Sequence, residues 1–113
     1  MTVKTVDELV KSTLKKLGVP VSRVFDKNLA DTHITYQLIF SRSEEFCDDD
    51  NIAKSYLYRA SIYSKKNYLE LVEKVERILK DAGFHGITIS AEIYENETDY
   101  FHIPIEFYVN EEV

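Results

Sequence analysis

The run from Ile62 to Phe84, IYSKKNYLELVEKVERILKDAGF, constrains this chain more than any other stretch. A strand ends at Ser64-Lys65-Lys66, an amphipathic helix follows from Tyr68 to Ala82, and Gly83 turns the chain into further strand. Tyr68, Leu71, Val72, Val75, Ile78, Leu79 and Ala82 recur at helical spacing as one apolar stripe. Glu70, Glu73, Lys74, Glu76, Arg77 and Lys80 make the wet face, with Glu70–Lys74 and Glu76–Lys80 placed four residues apart. Asn67 stands where a cap is needed, with Glu70 as its reciprocal partner.

A second amphipathic helix opens the chain. Thr5 and Glu8 have capping-box spacing, and Val6, Leu9, Val10, Leu14 and Leu17 recur on one face. Lys11, Lys15 and Lys16 lie toward its C-terminal end, where positive charge suits the helix dipole. Gly18 ends it and Pro20 prevents its continuation. From Val19 to Thr32 no period is sustained, and Asp26-Lys27-Asn28 reads as a turn.

Alternation begins at His33. Ile34, Tyr36, Leu38 and Phe40 take one face and Thr35 and Gln37 the other, which predicts a strand buried on one side. Ser41 to Asn51 is polar and acidic, with Glu44, Glu45, Asp48, Asp49 and Asp50 within seven positions, so an exposed loop is expected, with Phe46 and Cys47 as its apolar exceptions. Ser55 to Tyr63 is a second strand with bulky residues on both faces. Ile87 to Tyr94 forms a third, Asn96 to Asp99 a connection, and Phe101 to Val109 a fourth. Pro104 cannot donate to a ladder, so it marks an edge strand or an unpaired position. The order is helix–strand–strand–helix–strand–strand, an α+β chain. Its simplest packing sets two helices on one face of a four-stranded, mostly antiparallel sheet. At 113 residues this is a single domain, 1–113.

Composition narrows what the domain does. The net charge is −6, from 14 basic and 20 acidic residues, which argues against a general nucleic-acid binder, since such proteins place lysine and arginine on phosphates. No segment reaches the ~18 consecutive apolar residues of a membrane span, and the N-terminus lacks signal-peptide design. A single cysteine, Cys47, forms no internal disulfide and suits a reducing cytoplasm. Its carboxylate neighbours blunt it as a nucleophile.

The sequence shows no assembled active site, which predicts a non-enzyme without a cofactor. His33, His85 and His102 lie far apart with no metal-ligand pairing, and a structural hydrogen bond from His102 to Glu106 on the same strand face is expected. Asp48, Asp49 and Asp50 would suit a hard cation only if consecutive carboxylates converged, and the calcium-loop spacing is absent. A solvated loop is the default, and a metal-dependent enzyme or regulator using it is the alternative. Tyrosine is the unusual quantity, with eight residues beside six phenylalanines and no tryptophan. Its apolar body and polar tip suit interface cores. A sheet covered on one face cannot hide Leu57, Tyr63, Tyr94, Tyr100 and Tyr108 easily, which points to self-association. Tyr56, Tyr58, Tyr63, Tyr94, Tyr108 and the strand around Pro104 are the candidate interface.

Taken in order, these pieces resemble the tail terminator, or tail-completion, family of long-tailed bacteriophages and prophages, including tail-to-head joining proteins. The matching residues are Leu17-Gly18-Val19-Pro20-Val21, Ile34-Thr35-Tyr36, Asp48-Asp49-Asp50 and Tyr58 to Lys65. They continue with Asn67-Tyr68, the Val72–Phe84 helix and its Ala82-Gly83-Phe84 exit, Tyr94-Glu95, Thr98-Asp99 and His102. Ala60 and Ser61 stand where family members often carry an acidic residue.

The resemblance implies structural work: subunits that close into a ring, commonly a hexamer, and cap the tail-tube protein. Such a ring ends tube polymerisation and presents the surface to which the head-completion or connector protein docks. It further implies the host cytoplasm during assembly and the virion tail afterwards, with no membrane partner and with DNA only in transit through the lumen. An acidic lumen would repel phosphate, so Glu44, Glu45, Asp48, Asp49 and Asp50 are candidates for the lumen or a partner contact. Another head–tail connector or neck protein is the nearest alternative.

Overall fold

The computed structural model describes residues 3–24, 30–45 and 52–112. Among them the order is α1 (Val3–Lys15), β1 (Val21–Arg23), β2 (Thr32–Glu45), β3 (Ile52–Ser64), α2 (Leu69–Asp81), β4 (His85–Ile89), β5 (Ile93–Glu95) and β6 (Tyr100–Glu112). The α+β class and the two helices agree with the sequence. The strand count does not: the sheet has six strands, ordered β1-β2-β3-β6-β4, with β5 on the same side of β6 as β4.

The extra strands have plain causes. β1 pairs in parallel with β2 over Val21↔Ile34 to Arg23↔Tyr36, three residues that are too few to show a period. The expected third strand divides into β4 and β5, both antiparallel to β6. Between them Ser90 N–H donates to the Pro104 carbonyl at 2.9 Å. This explains how proline is accommodated in a strand that is not at the edge. In extended backbone a residue's nitrogen and carbonyl point to the same side. Pro104 nitrogen therefore faces the gap between β4 and β5, where its missing donor breaks no ladder bond.

Both apolar stripes bury against one face of the sheet. Val6, Val10 and Leu14 of α1 and Val75 and Leu79 of α2 are all fully buried with Ile34, Tyr58, Ala60, Ile62, Ile105 and Phe107. Phe84, just past the Gly83 turn, stacks on Phe107 at 5.3 Å. Leu9, expected on the α1 stripe, is instead exposed. Thr13 is buried there, its hydroxyl returned to the Leu9 carbonyl at 2.7 Å. The helix starts also differ from expectation. α1 begins at Val3, so Thr5 lies inside its first turn. α2 begins at Leu69 with Tyr68 as cap; Asn67 still helps, accepting the Leu69 N–H at 3.1 Å.

The helices are shorter than the strands they cover. Thirteen helical residues span about 20 Å and thirteen strand residues about 43 Å. Helix-face burial reaches the Tyr56–Val109 row, and beyond it β2, β3 and β6 run on as a three-stranded arm. The fold is accordingly elongated, 52 × 24 × 23 Å. Ser41 to Glu45, expected in the acidic loop, belongs to this arm, with Glu44 paired to Ala53 and Glu45 to Ile52. Phe46, Cys47 and Asp48 to Asp50 lie outside the described residues.

Among the described residues no helix is long and apolar enough to cross a membrane.

Candidate functional site

The sheet face opposite the helices carries the unused chemistry of this chain. Register sets it out in rows. His33, Tyr63 and His102 are cross-strand neighbours; Thr35, Ser61 and Pro104 follow, then Gln37, Arg59 and Glu106, and finally Phe40, Leu57 and Tyr108.

The first row is a stack. Tyr63 lies flat between His33, at 5.0 Å and 12°, and His102, at 4.4 Å and 11°. Tyr100 meets His33 and Tyr63 edge-on. Its hydroxyl donates to the Ala30 carbonyl at 2.8 Å, and Lys65 Nζ sits 4.9 Å from its ring centre. His33 Nδ1 lies 2.7 Å from the same carbonyl, which can only accept, so Nδ1 carries a proton. His102 differs. Its Nε2 is buried with no hydrogen-bond partner, and burial pushes its pKa below the ordinary histidine value, with Glu95 opposing and Arg59 adding to the fall. Burial first, and then Glu95, push the Tyr63 hydroxyl up.

The expected bond from His102 to Glu106 is not made. Glu106 is held by Arg59, whose Nη2 and Nε donate to one carboxylate oxygen at 2.8 and 3.2 Å. Between the stack and this ion pair, Thr35 and Ser61 are small enough to be buried without any covering layer.

The last row follows from a bulge. Register shifts between Leu38 and Phe40, so Phe40, expected with Ile34 and Tyr36, crosses to the open face opposite Leu57. It is 42% exposed. Tyr108 stacks on His85 at 5.8 Å beside it. Gly86 makes that approach possible, since a Cβ there would stand 2.8 Å from Tyr108 Cδ2.

The candidate interface tyrosines thus divide three ways. Tyr56 and Tyr58 are core residues, 1% and 0% exposed, facing the helices, and their side chains offer no outer surface. Tyr63 and Tyr108 are half-buried on the open face with Pro104. Tyr94 stands apart on the helix-side rim, 47% exposed, packed against Phe101 and bonded to Asp99 at 2.6 Å. Pro104 lies in an interior strand, which removes β6 as the free edge there. The candidate interface read from the sequence did not include His33, Arg59 or Phe40. Alternation gave the faces of the first two, but neither the register that joins them to Tyr63 and Glu106 nor the bulge. Among the described residues no group of three histidine, cysteine or acidic side chains could hold a metal.

No protein-family model and no curated protein matches this chain. Among solved structures, a chain from the virion of a native gene transfer agent (GTA) particle is similar. It is 14% identical, with a TM-score of 0.53, over 96% of this chain and 92% of that one. The likeness is one of fold. It covers nearly the whole of both chains.

Proposed function

We propose that this chain is a structural subunit of a phage-type virion. It caps the tail tube as a ring, ends tube polymerisation and forms the surface for head–tail joining. The supporting observation is the end-to-end fold likeness to a virion chain of a gene transfer agent particle, at 96% and 92% coverage. The ordered run of residues resembling tail terminators gives that likeness its finer reading. The open sheet face supports it physically: Phe40, Leu57 and Tyr108 form an apolar row, and a ring buries one surface of each subunit against a different surface of the next. The partners are further copies of the chain, the tail-tube protein and the head-completion protein. The work is structural, without catalysis or cofactor, and is done in the host cytoplasm and then in the virion tail.

Light scattering across a concentration series, with negative-stain images of the purified chain alone and with tail tubes, tests this. A closed ring of about six copies, free or on tube ends, is expected. A strict monomer that leaves tube ends uncapped overturns the terminator reading. Capture by a head connector in place of the tube reassigns the chain to the neck of the particle.

A further inference from the structure

Charge and exposed apolar surface are both divided between the two edges of the sheet. Every lysine and arginine of the chain lies within residues 1–80, and residues 81–113 hold eight acids and no base but histidine. That stretch supplies the outer strands β4 and β5, where Glu92, Glu97 and Asp99 are exposed. The opposite edge is β1. Asp7 of α1 faces Arg23 of β1 at 3.7 Å, so that side of the helix overhangs the β1 edge. Lys11 and Lys15 follow Asp7 at four and eight positions, on the same side, and both are exposed. None of Lys11, Lys15, Glu92 and Glu97 has an ion pair among the described residues.

Apolar exposure follows the same division. Among the described residues eight large apolar side chains are exposed. Val24, Ile39 and Phe40 stand at the β1–β2 edge, and Ile89, Ile93 and Tyr94 at the β4–β5 edge.

The two edges also match in height and direction. One row crosses the sheet as Arg23, Tyr36, Ala60, Ile105 and Ile89, so Val24 and Ile89 lie level on opposite sides. The chain leaving α1 is bonded at Pro20 to Ile34, in the row of Ile62 and Ile103. The next residue of β6, His102, pairs with Ile93, so Lys15 stands near the level of β5 and its acids. β1 runs parallel to β2, and the pairings through β3 and β6 make β4 antiparallel to both. Four strand spacings, about 19 Å, keep the two edges of one copy apart.

We infer that the β1 edge of one copy, with Lys11, Lys15 and Val24, docks against the β4–β5 edge of a second copy, with Glu92, Glu97 and Ile89. The contact rests on the ring reading above and gives it an interface. It is head-to-tail, the kind that closes rings or extends filaments. β1 and β4 are edge strands of three and five residues, too short to fix a register by backbone alone, and the facing charges set it. The contact weakens with salt, because its charges are solvent-exposed.

Carbodiimide coupling tests this directly, because it joins touching carboxylates and lysine amines with loss of water. ¹⁵N-labelled and unlabelled chain are mixed as dilute monomer, concentrated and coupled. Mixed-label peptides linking Lys11 or Lys15 to Glu92, Glu97 or Asp99 are expected. Oligomers by light scattering without such links overturn the contact and leave the ring standing. The links in a species that images as open filaments keep the contact and overturn the ring. Neither oligomer nor link, with or without tail tubes, overturns both. Links confined to one label assign these residues to the same copy and overturn the contact.

Charge reversal provides the second readout. K11E/K15E and E92K/E97K should each weaken self-association about tenfold. An equal mixture should restore it, since every contact between alternating variants then pairs opposite charges. Failure of the mixture to associate, with both variants folded by circular dichroism, overturns the pairing.

Discussion

The Tyr58 hydroxyl donates to Asp7 Oδ1 at 3.1 Å, joining the central strand β3 to the first helix in a half-buried contact at the margin of the core. Burial is the largest cause that raises the Tyr58 pKa, and the Asp7 charge and hydrogen bond raise it further. Asp7 also faces Arg23 of β1 at 3.7 Å, so one carboxylate ties α1 to two parts of the sheet.

Removing the acceptor should cost more than removing the donor. Asp7→Ala leaves a buried hydroxyl unsatisfied and should lower stability by about 1–3 kcal/mol, against about 1 kcal/mol for Tyr58→Phe. Asp7→Asn keeps an acceptor and should lie close to the parent. Urea denaturation at pH 7 measures all three. A raised folded-state pKa means that stability is complete below the unfolded tyrosine value near 10 and is lost as pH rises beyond it. Tyr58→Phe should therefore lose less stability than the parent above pH 10.

His102 predicts the opposite limb. Its folded pKa is lowered, so its contribution is complete above the unfolded value near 6.5 and is lost as pH falls below it. Melting temperature should drop between pH 7 and pH 5, and His102→Phe, which keeps a flat ring against Tyr63, should remove part of that drop. An unchanged pH dependence in the variant would show that the stack does not resist protonation.

Gly86 sits at φ +60° beneath the Tyr108 ring. Gly86→Ala should destabilise by about 1–3 kcal/mol, from backbone strain and from the clash together. In a double-mutant cycle with Tyr108→Ala only the clash should be recovered, because the strained φ stays. Full recovery would assign the whole cost to the ring contact.

Val24 is a β-branched residue at φ +69°, 56% exposed, its N–H held by the Tyr36 carbonyl at 2.8 Å. Asparagine tolerates that conformation far better. Val24→Asn should raise stability by about 1 kcal/mol, seen as a higher urea midpoint at an unchanged slope.

How much of this was legible in the sequence depended on the length of each signal. The stripe from Tyr68 to Ala82 located α2 within a residue or two, because seven apolar positions at one period leave little choice. The alternation of Phe101 to Val109 likewise located β6 and its buried face. β1 was invisible because three residues carry no period, and its order comes from pairing with β2. Charge misled at Ser41 to Glu45, which looked too acidic to pack yet forms strand. An arm beyond the helices has no buried layer to exclude polar residues.

By itself the sequence determined which residues must leave water: Val75 and Leu79 on one helix, Val6 and Val10 on the other, Ile103 to Val109 along a strand. Periodicity is a local property, and local chemistry is enough to set it. Only the tertiary structure decided that His33 and His102, sixty-nine positions apart, sandwich Tyr63. It alone turned Phe40 outward, buried Tyr56 and Tyr58, and set Val24 and Ile89 level at opposite edges of the sheet. Each of those outcomes depends on register or on helix placement. Both are fixed by contacts between distant segments, which no single stretch of sequence encodes.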